Sequence, residues 1–483
     1  MKERIKRLLP KNRFARSVSV LAGGTAAGQI IVVAASPILT RLYSPEDFGL
    51  FAVFASLLGI LGVIASLRYQ LAIPLPEDDA DAARVAILSV LVVVGMAGLS
   101  ALVVLFFGEP VSHLLNVPQL APYLWLLPLG LFLLGVYQVL SYWAIRRRAY
   151  GPIARTKLTQ SIVMTAVQIG GFALGPVALL IGRIMGQAAG IATLYRLVVR
   201  PKRHLLGEVR GRDVMWAAKR YRRFPIYSTW AGGFNTLGTE TPPLLFAALF
   251  SPAVAGLYML AHRVLAMPAQ LIGKAVADVF FGDAPDNHRN DQLGTAVSRI
   301  TATLSQIALP PIVLFSLFAP SLFSGIFGES WREAGVYAQW LAPMIYINFI
   351  TSPITTLTTV LEKQAHALFF QSLLLVMRLS GLVVGALLGD IILAVILFSL
   401  GTFIARGIFL SWAHWVTNQP LVELLTNQAS AMGWAFIVIS PILVISWADD
   451  VLSLTMFAIV GSIAILVYRL WILQRTVGAQ HER

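Results

Sequence analysis

Ser44-Pro45-Glu46-Asp47-Phe48-Gly49-Leu50-Phe51 returns 207 residues later as Ser251-Pro252-Ala253-Val254-Ala255-Gly256-Leu257-Tyr258. Each copy joins two long apolar segments and follows a leucine-aromatic pair, Leu42-Tyr43 in the first and Leu249-Phe250 in the second. Ser-Pro-x-x-x-Gly-Leu-aromatic therefore marks the same hairpin twice. A duplicated membrane hairpin points to two homologous helical bundles related by an axis along the membrane normal. Some transporters are built on this plan, with the substrate path between the halves.

The composition around the hairpins leaves one broad class. Of 483 residues, 57% are hydrophobic and 12% are charged, against about 25% charged in a soluble domain. Mean hydropathy is +0.75, as expected of a polytopic membrane protein. The absence of cysteine excludes a disulfide framework, a thiolate metal site and a thiol nucleophile. The seven histidines show no metal-ligand spacing, so neither metal nor cofactor is expected. A net charge of +14 would suggest nucleic acid in a soluble protein. Here cytoplasmic loop charge accounts for it, and no nucleic-acid partner is expected. The start of the chain carries Lys2, Arg4, Lys6, Arg7, Lys11, Arg13 and Arg16. The apolar stretch after it, about 24 residues, exceeds the 7–15 of a signal-peptide core and reads as a retained first span.

At about 20 apolar residues per span, fourteen segments qualify: 17–40, 47–66, 85–107, 121–145, 158–175, 177–198, 226–250, 256–281, 301–323, 336–361, 368–388, 391–412, 431–447 and 452–473. The turns at Gly175-Pro176 and Gly389-Asp390 are the tightest. Arg146, Arg147, Arg148, Arg155 and Lys157 follow the fourth span. Arg200, Lys202, Arg203, Arg210, Arg212, Lys219, Arg220, Arg222 and Arg223 follow the sixth. Basic loops mark the cytoplasmic side, so both termini are expected there. The repeat offset lays the first span over the seventh. The expected fold is all-α, with a first lobe and basic linker over 1–225, a second lobe over 226–430, and an extra helix pair with a tail over 431–483. No loop is long enough for a catalytic domain and none carries a nucleotide-binding motif, so no enzyme is expected.

Charges inside spans are costly and usually face a cavity or one another. In the 256–281 span, Arg263, Gln270 and Lys274 share a face at spacings of 7 and 4. Asp278 continues that face and can pair with Lys274; snorkelling at the span's end is the alternative for both. Arg263 lies roughly 10 Å deep by helical rise and reads as a cavity-facing cation, with a structural ion pair as the alternative. Thr25, Gln29, Ser36 and Thr40 line one face of the first span, and Asn348, Thr351, Ser352, Thr355 and Thr359 mark the tenth. Such stripes either line water or bond to their own helix carbonyls.

Glu240 precedes Pro242-Pro243, where a helix is expected to kink. It reads as a proton or cation site, or as the partner of a buried arginine. Arg183, Arg378 and Arg406 are the other deep cations, and Arg68 reads as an interfacial anchor. Gly182-x-x-x-Gly186-x-x-x-Gly190 and Gly381-x-x-x-Gly385-x-x-x-Gly389 read as helix-packing seams. Five cations, Arg183, Arg263, Lys274, Arg378 and Arg406, thus face two acids, Glu240 and Asp278, with Gln29, Gln270 and Asn348 as neutral lining. Such a cavity attracts an anion, and guanidinium forks suit phosphate oxygens.

Ile38-Leu39-Thr40-Arg41-Leu42-Tyr43-Ser44-Pro45-Glu46-Asp47-Phe48-Gly49-Leu50-Phe51 resembles the first-hairpin signature of bacterial polysaccharide transporters. These are the Wzx-type O-antigen and exopolysaccharide flippases of the MATE-related MOP superfamily. Arg68-Tyr69-Gln70-Leu71-Ala72-Ile73-Pro74-Leu75-Pro76, with Glu77-Asp78-Asp79 after it, resembles the segment that follows. The resemblance implies a V-shaped, two-lobed bundle in the bacterial inner membrane with a central cationic cavity. It implies movement of an undecaprenyl-pyrophosphate-linked oligosaccharide by alternating access, driven by a proton or sodium gradient or by membrane potential. It makes Arg263 the first candidate for the pyrophosphate, because the corresponding helix lines the cavity of related lipid II flippases. The last helix pair then either docks a polysaccharide polymerase or chain-length protein, or widens the bundle. Two other functions meet the same sequence less well. A MATE-like cation-coupled drug antiporter calls for acids to dominate the cavity. A membrane glycan polymerase or ligase calls for a large outer loop with basic or histidine residues.

Overall fold

The computed structural model of the chain describes residues 13–200 and 209–446, and every regular element among them is helical. The basic residues from Lys2 to Lys11, Lys202 and Arg203, and the fourteenth span with its tail lie outside the described residues. The long helices are α1 (Arg13–Leu42), α2 (Pro45–Ile64), α3 (Asp79–Leu114), α4 (Leu126–Arg146), α5 (Tyr150–Gly170) and α6 (Val177–Leu194). After a short α7 (Gly211–Arg220) come α8 (Thr229–Leu249), α9 (Pro252–Arg289), α10 (Leu293–Phe327), α11 (Arg332–Thr351), α12 (Gln364–Leu387), α13 (Ile391–Val416) and α14 (Leu421–Ser446). Nine of the described helices are long and apolar enough to cross a membrane. The chain is an all-α polytopic membrane protein.

The repeated motif is a helix start. Ser44 caps α2: its Oγ accepts from Asp47 N at 3.2 Å, while Ser44 N donates to Asp47 Oδ2 at 3.0 Å. Pro45 takes the first helical position, where a missing N–H is harmless. Ser251 Oγ accepts from Val254 N at 3.3 Å and so caps α9 in the same way. The motif's glycines explain its other fixed position. A Cβ on Gly49 would lie 1.8 Å from the carbonyl oxygen of Pro252, and one on Gly256 would lie 2.0 Å from that of Pro45. Each copy presses its glycine onto the other's proline backbone, so the repeat is also a reciprocal contact.

Several boundaries differ from the sequence reading: α3, α9 and α10 run beyond the expected 85–107, 256–281 and 301–323. The tenth span, expected to reach 361, stops as α11 at Thr351. A 3-10 turn, Pro353–Thr356, and a short helix, Leu357–Val360, follow it. Pro353 has no N–H to continue the ladder and its ring crowds the preceding turn. The thirteenth span, expected from 431, begins at Leu421. The basic linker is not wholly irregular: it holds α7, whose Ala217 is buried against the α3 side of the bundle. Arg84 fixes α7 from α3, 3.6 Å from Asp213 and 5.8 Å above the Trp216 ring. Positive φ at Gly175 (65°) and Gly389 (73°) makes the two tight turns expected there.

The helices group into two compact units. Unit 1 comprises the described residues up to Leu260 together with Ile326–Trp331; unit 2 comprises Ala261–Gly325 and the described residues from Arg332. In unit 1 the Gly182, Gly186, Gly190 series faces α5, where added Cβ atoms would meet Met164 O at 2.9 Å and Gln160 O at 2.8 Å. In unit 2 the α12–α13 seam is as close: Gly381 lies on Leu397 O and Gly401 on Met377 O. The first series is a packing seam throughout, as read from the sequence; in the second Gly381 and Gly385 pack on α13, while Gly389 meets nothing within 4 Å and serves the turn.

Candidate functional site

The α12–α13 seam positions the first group of charges. With the two backbones touching, Arg378 of α12 reaches across and donates through Nε to Thr402 Oγ1 at 2.9 Å. Its guanidinium carbon stands 6.0 Å from the centre of the Phe398 ring. Phe398, Thr402 and Arg406 follow one another at i, i+4 and share a face of α13. Arg406 donates through Nε to Asn348 Oδ1 of α11 at 3.2 Å. The bond to Thr402 thus sets Arg378 one helical turn from Arg406, and Arg378 lies near α9, where His262 and Arg263 adjoin. Unit 2 therefore gathers Arg263, Arg378, Arg406 and Asn348 from four helices. Two of its guanidinium groups each place Nε on a polar side chain, Arg378 on a hydroxyl and Arg406 on an amide oxygen. Gln270 is exposed on α9, and the side chains of Lys274 and Asp278 lie outside the described residues.

Unit 1 holds the second group. Glu240 of α8 lies against Gly59 of α2, where a Cβ would stand 2.9 Å from its carboxyl carbon. Arg183 of α6 and Ser56 of α2 lie near it. No ion pair within 4.0 Å joins Arg183 and Glu240, and the buried Arg183 Nε has no hydrogen-bond partner among the described residues. Gln29 of α1 also keeps a buried Oε1 with no partner among the described residues. Of the five cations read from sequence, the structure thus brings three together in unit 2 and sets Arg183 beside the acid Glu240 in unit 1.

Several hydroxyls of the two stripes bond to their own helix carbonyls. Thr25 donates to Leu21 O at 3.0 Å, Ser36 to Val32 O at 2.9 Å and Thr351 to Ile347 O at 2.7 Å. Thr355 lies beyond the break in α11 and donates to Ser352 O at 2.8 Å. Arg68 is half-buried, and its guanidinium lies over Gly232 of α8, 2.0 Å from where a Cβ would stand. His262, Thr402, Phe398 and Ser56 escape the sequence reading. The i, i+4 spacing of Phe398, Thr402 and Arg406 is a usable signal for two of them. Ser56 has none, because only the fold brings it to Glu240.

Comparison with known proteins places these groups in context. A family model described as "Polysaccharide biosynthesis protein" matches residues 38–336. The succinoglycan biosynthesis transport protein ExoT of Rhizobium meliloti (strain 1021) is 24% identical over 368 residues, covering 74% of this chain and 72% of that one. Among solved structures, the lipid II flippase MurJ in an inward closed conformation aligns with a TM-score of 0.74 at 11% identity, over 95% of this chain and 99% of that one. An inward-facing multidrug resistance MATE family transporter of the MOP superfamily aligns with a TM-score of 0.56 at 13% identity, over 83% of this chain and 94% of that one. At these identities the structural likeness speaks to the fold alone.

Proposed function

The chain belongs to the polysaccharide biosynthesis protein family, and from that premise we propose that it is a flippase for a lipid-linked oligosaccharide. The cargo is an undecaprenyl-pyrophosphate-linked repeat unit of an O-antigen or exopolysaccharide. It moves from the cytoplasmic to the periplasmic leaflet of the bacterial inner membrane by alternating access. The observation that supports this reading is the placing of Arg378 and Arg406: Arg378 is bonded to Thr402, one helical turn from Arg406 on the same face of α13, and Arg406 is bonded to Asn348 of α11. Cations inside spans usually face a cavity or a partner, and two guanidinium groups at neighbouring turns of α13 suit an anionic ligand. A diphosphate bridge offers oxygens that both forks can grip. The basic loops after α4 and α6 support cytoplasmic termini.

A deletion strain is expected to lose its surface polysaccharide and to accumulate lipid-linked oligosaccharide on the cytoplasmic leaflet. Normal surface glycan in that strain would sink the assignment. Dye efflux that depends on the gene, with glycan unchanged, would favour the MATE-like drug antiporter instead.

Glu240 and Arg183 carry the coupling question. If the two only neutralise each other, Glu240→Gln strands a buried guanidinium and lowers stability by about 1–2 kcal/mol. Adding Arg183→Gln should then restore both stability and transport. We propose that Glu240 also takes up the proton or sodium ion that drives transport. The double variant is then expected to regain thermal stability while transport stays uncoupled from the ion gradient. Full recovery of gradient-driven transport would leave the pair a purely structural one.

A further inference from the structure

The turn between α10 and α11 is covalently flanked by unit 2 yet belongs with unit 1. Ile326–Trp331 is the only segment beyond Leu260 that unit 1 includes among the described residues. Its last residue explains why. Trp331 is 0% exposed, and its Nε1 donates to Thr40 O at 2.9 Å. Its ring meets Phe48 edge-on, with centroids 4.9 Å apart and planes at 74°. Phe48, itself 1% exposed, sits in the first copy of the repeated motif, one residue before the glycine that rests on Pro252.

Thr40 is in the last turn of α1, where helix carbonyls have no partner in their own helix. The indole N–H satisfies one of them, and water can take its place when the tryptophan leaves. After the turn the chain is held firmly within unit 2. Gly335 of α11 lies on α10, where a Cβ would stand 2.4 Å from Ala319 O and 2.5 Å from Pro320 Cα. Gly328, at φ 107°, and the short Glu329–Trp331 turn bring the tryptophan to Thr40.

We propose that Trp331 is a releasable latch, and that its withdrawal from Thr40 and Phe48 sets how often the two repeated Ser-Pro hairpins part. This rests on the flippase reading only in placing the hairpins at the periplasmic face. A transporter that alternates must open that face, and the reciprocal Gly49–Pro252 and Gly256–Pro45 contacts are so close while formed that not even an added Cβ fits between them. These contacts are backbone on backbone and gain nothing from side-chain rearrangement. The tryptophan is held by one replaceable hydrogen bond and by the packing of its buried ring, side-chain contacts that can let go stepwise. Trp331 is thus a positioning residue for transport, acting through the hairpins.

The native chain has no cysteine, so introduced thiols report alone. Ala255, in the second hairpin, is 0% exposed. As Ala255→Cys it should label with a membrane-impermeant maleimide only when the hairpins part. Losing the indole hydrogen bond in Trp331→Phe, with the ring kept against Phe48, should raise that labelling rate about tenfold, and Trp331→Ala should raise it further. Arg41→Cys and Ser330→Cys flank the Trp331–Thr40 bond. Joining them with a short cleavable bis-thiosulfonate should stop both labelling and transport, and reduction should restore both. Transport at the free rate in the joined protein would overturn the latch. So would labelling of Ala255→Cys that stays unchanged in a folded Trp331→Phe protein. Labelling needs no substrate, so it tests the latch even if a deletion strain keeps its surface polysaccharide and the flippase reading falls.

Discussion

Arg263→Ala is expected to cut export of surface polysaccharide by roughly ten- to hundredfold while leaving the protein in the membrane. The size follows from the loss of one charge-assisted contact to an anionic group, about 1.5–3 kcal/mol, converted at about 1.4 kcal/mol per factor of ten. The direction follows from position. Arg263 lies on α9 beside His262, and that histidine feels both Arg263 and Arg378. A headgroup that bridges Arg378 and Arg406 is therefore within the field of Arg263 as well. Arg263→Lys keeps the charge but not the planar fork, so it should recover only part of the activity. Gln270→Ala, on an exposed position of the same helix, should export at close to the normal rate. Pulse-labelled surface glycan, normalised to membrane protein level, measures all three. Equal export by Arg263→Ala and the unaltered protein would remove α9 from the binding site.

The outline of this arrangement is legible in the sequence because hydrophobic runs and loop charge report directly on spans and sides. The hairpin motif is legible as a repeat, and Ser-Pro is readable as a cap followed by the first helical residue. What the motif's glycine does is not legible. Its neighbour, Pro252 for Gly49, is 203 residues away in the chain, and no periodicity within one helix announces a contact between two helix starts. The same limit applies to the charges. Depth along a span can be counted in residues, so Arg263, Arg378 and Arg406 can be named. Direction around the bundle cannot, so the sequence groups Arg183 with them and offers Glu240 a buried arginine without saying which; the fold sets Arg183 near it. The break in α11 escapes for a different reason: Pro353 sits in an apolar run, and hydropathy alone carries the span through it. Trp331 gives no signal of its own, because a tryptophan beside a span is commonplace at a membrane interface. Its bond to Thr40 O joins positions 291 residues apart, and only the fold shows it.

Gly385→Leu should be the most damaging single substitution in unit 2. A Cβ at that position would stand 2.3 Å from Ala394 Cα and 2.5 Å from Ala394 N. Both are backbone atoms, so no rotamer change relieves the clash and the axes of α12 and α13 must separate. Overpacking of this kind costs about 3 kcal/mol, and Gly385→Ala already calls for a shift of the backbone. The damage should reach the charges, because the same close approach carries Arg378 Nε to within 2.9 Å of Thr402 Oγ1. Gly381, where a Cβ would stand 2.5 Å from Leu397 O, and Gly401, where one would stand 2.4 Å from Met377 O, flank that bond and should behave alike. Gly407 is the internal control: it lies on α13 as well, but a Cβ there meets nothing within 4 Å. Thermal unfolding in detergent is expected to drop sharply for Gly385→Leu and to stay put for Gly407→Ala. In Gly385→Ala, export should fall by a larger factor than the folded fraction, because a displaced α12 misplaces Arg378 before it unfolds the unit. If Gly385→Leu is as stable and as active as Gly407→Ala, the seam does not set the position of the arginines.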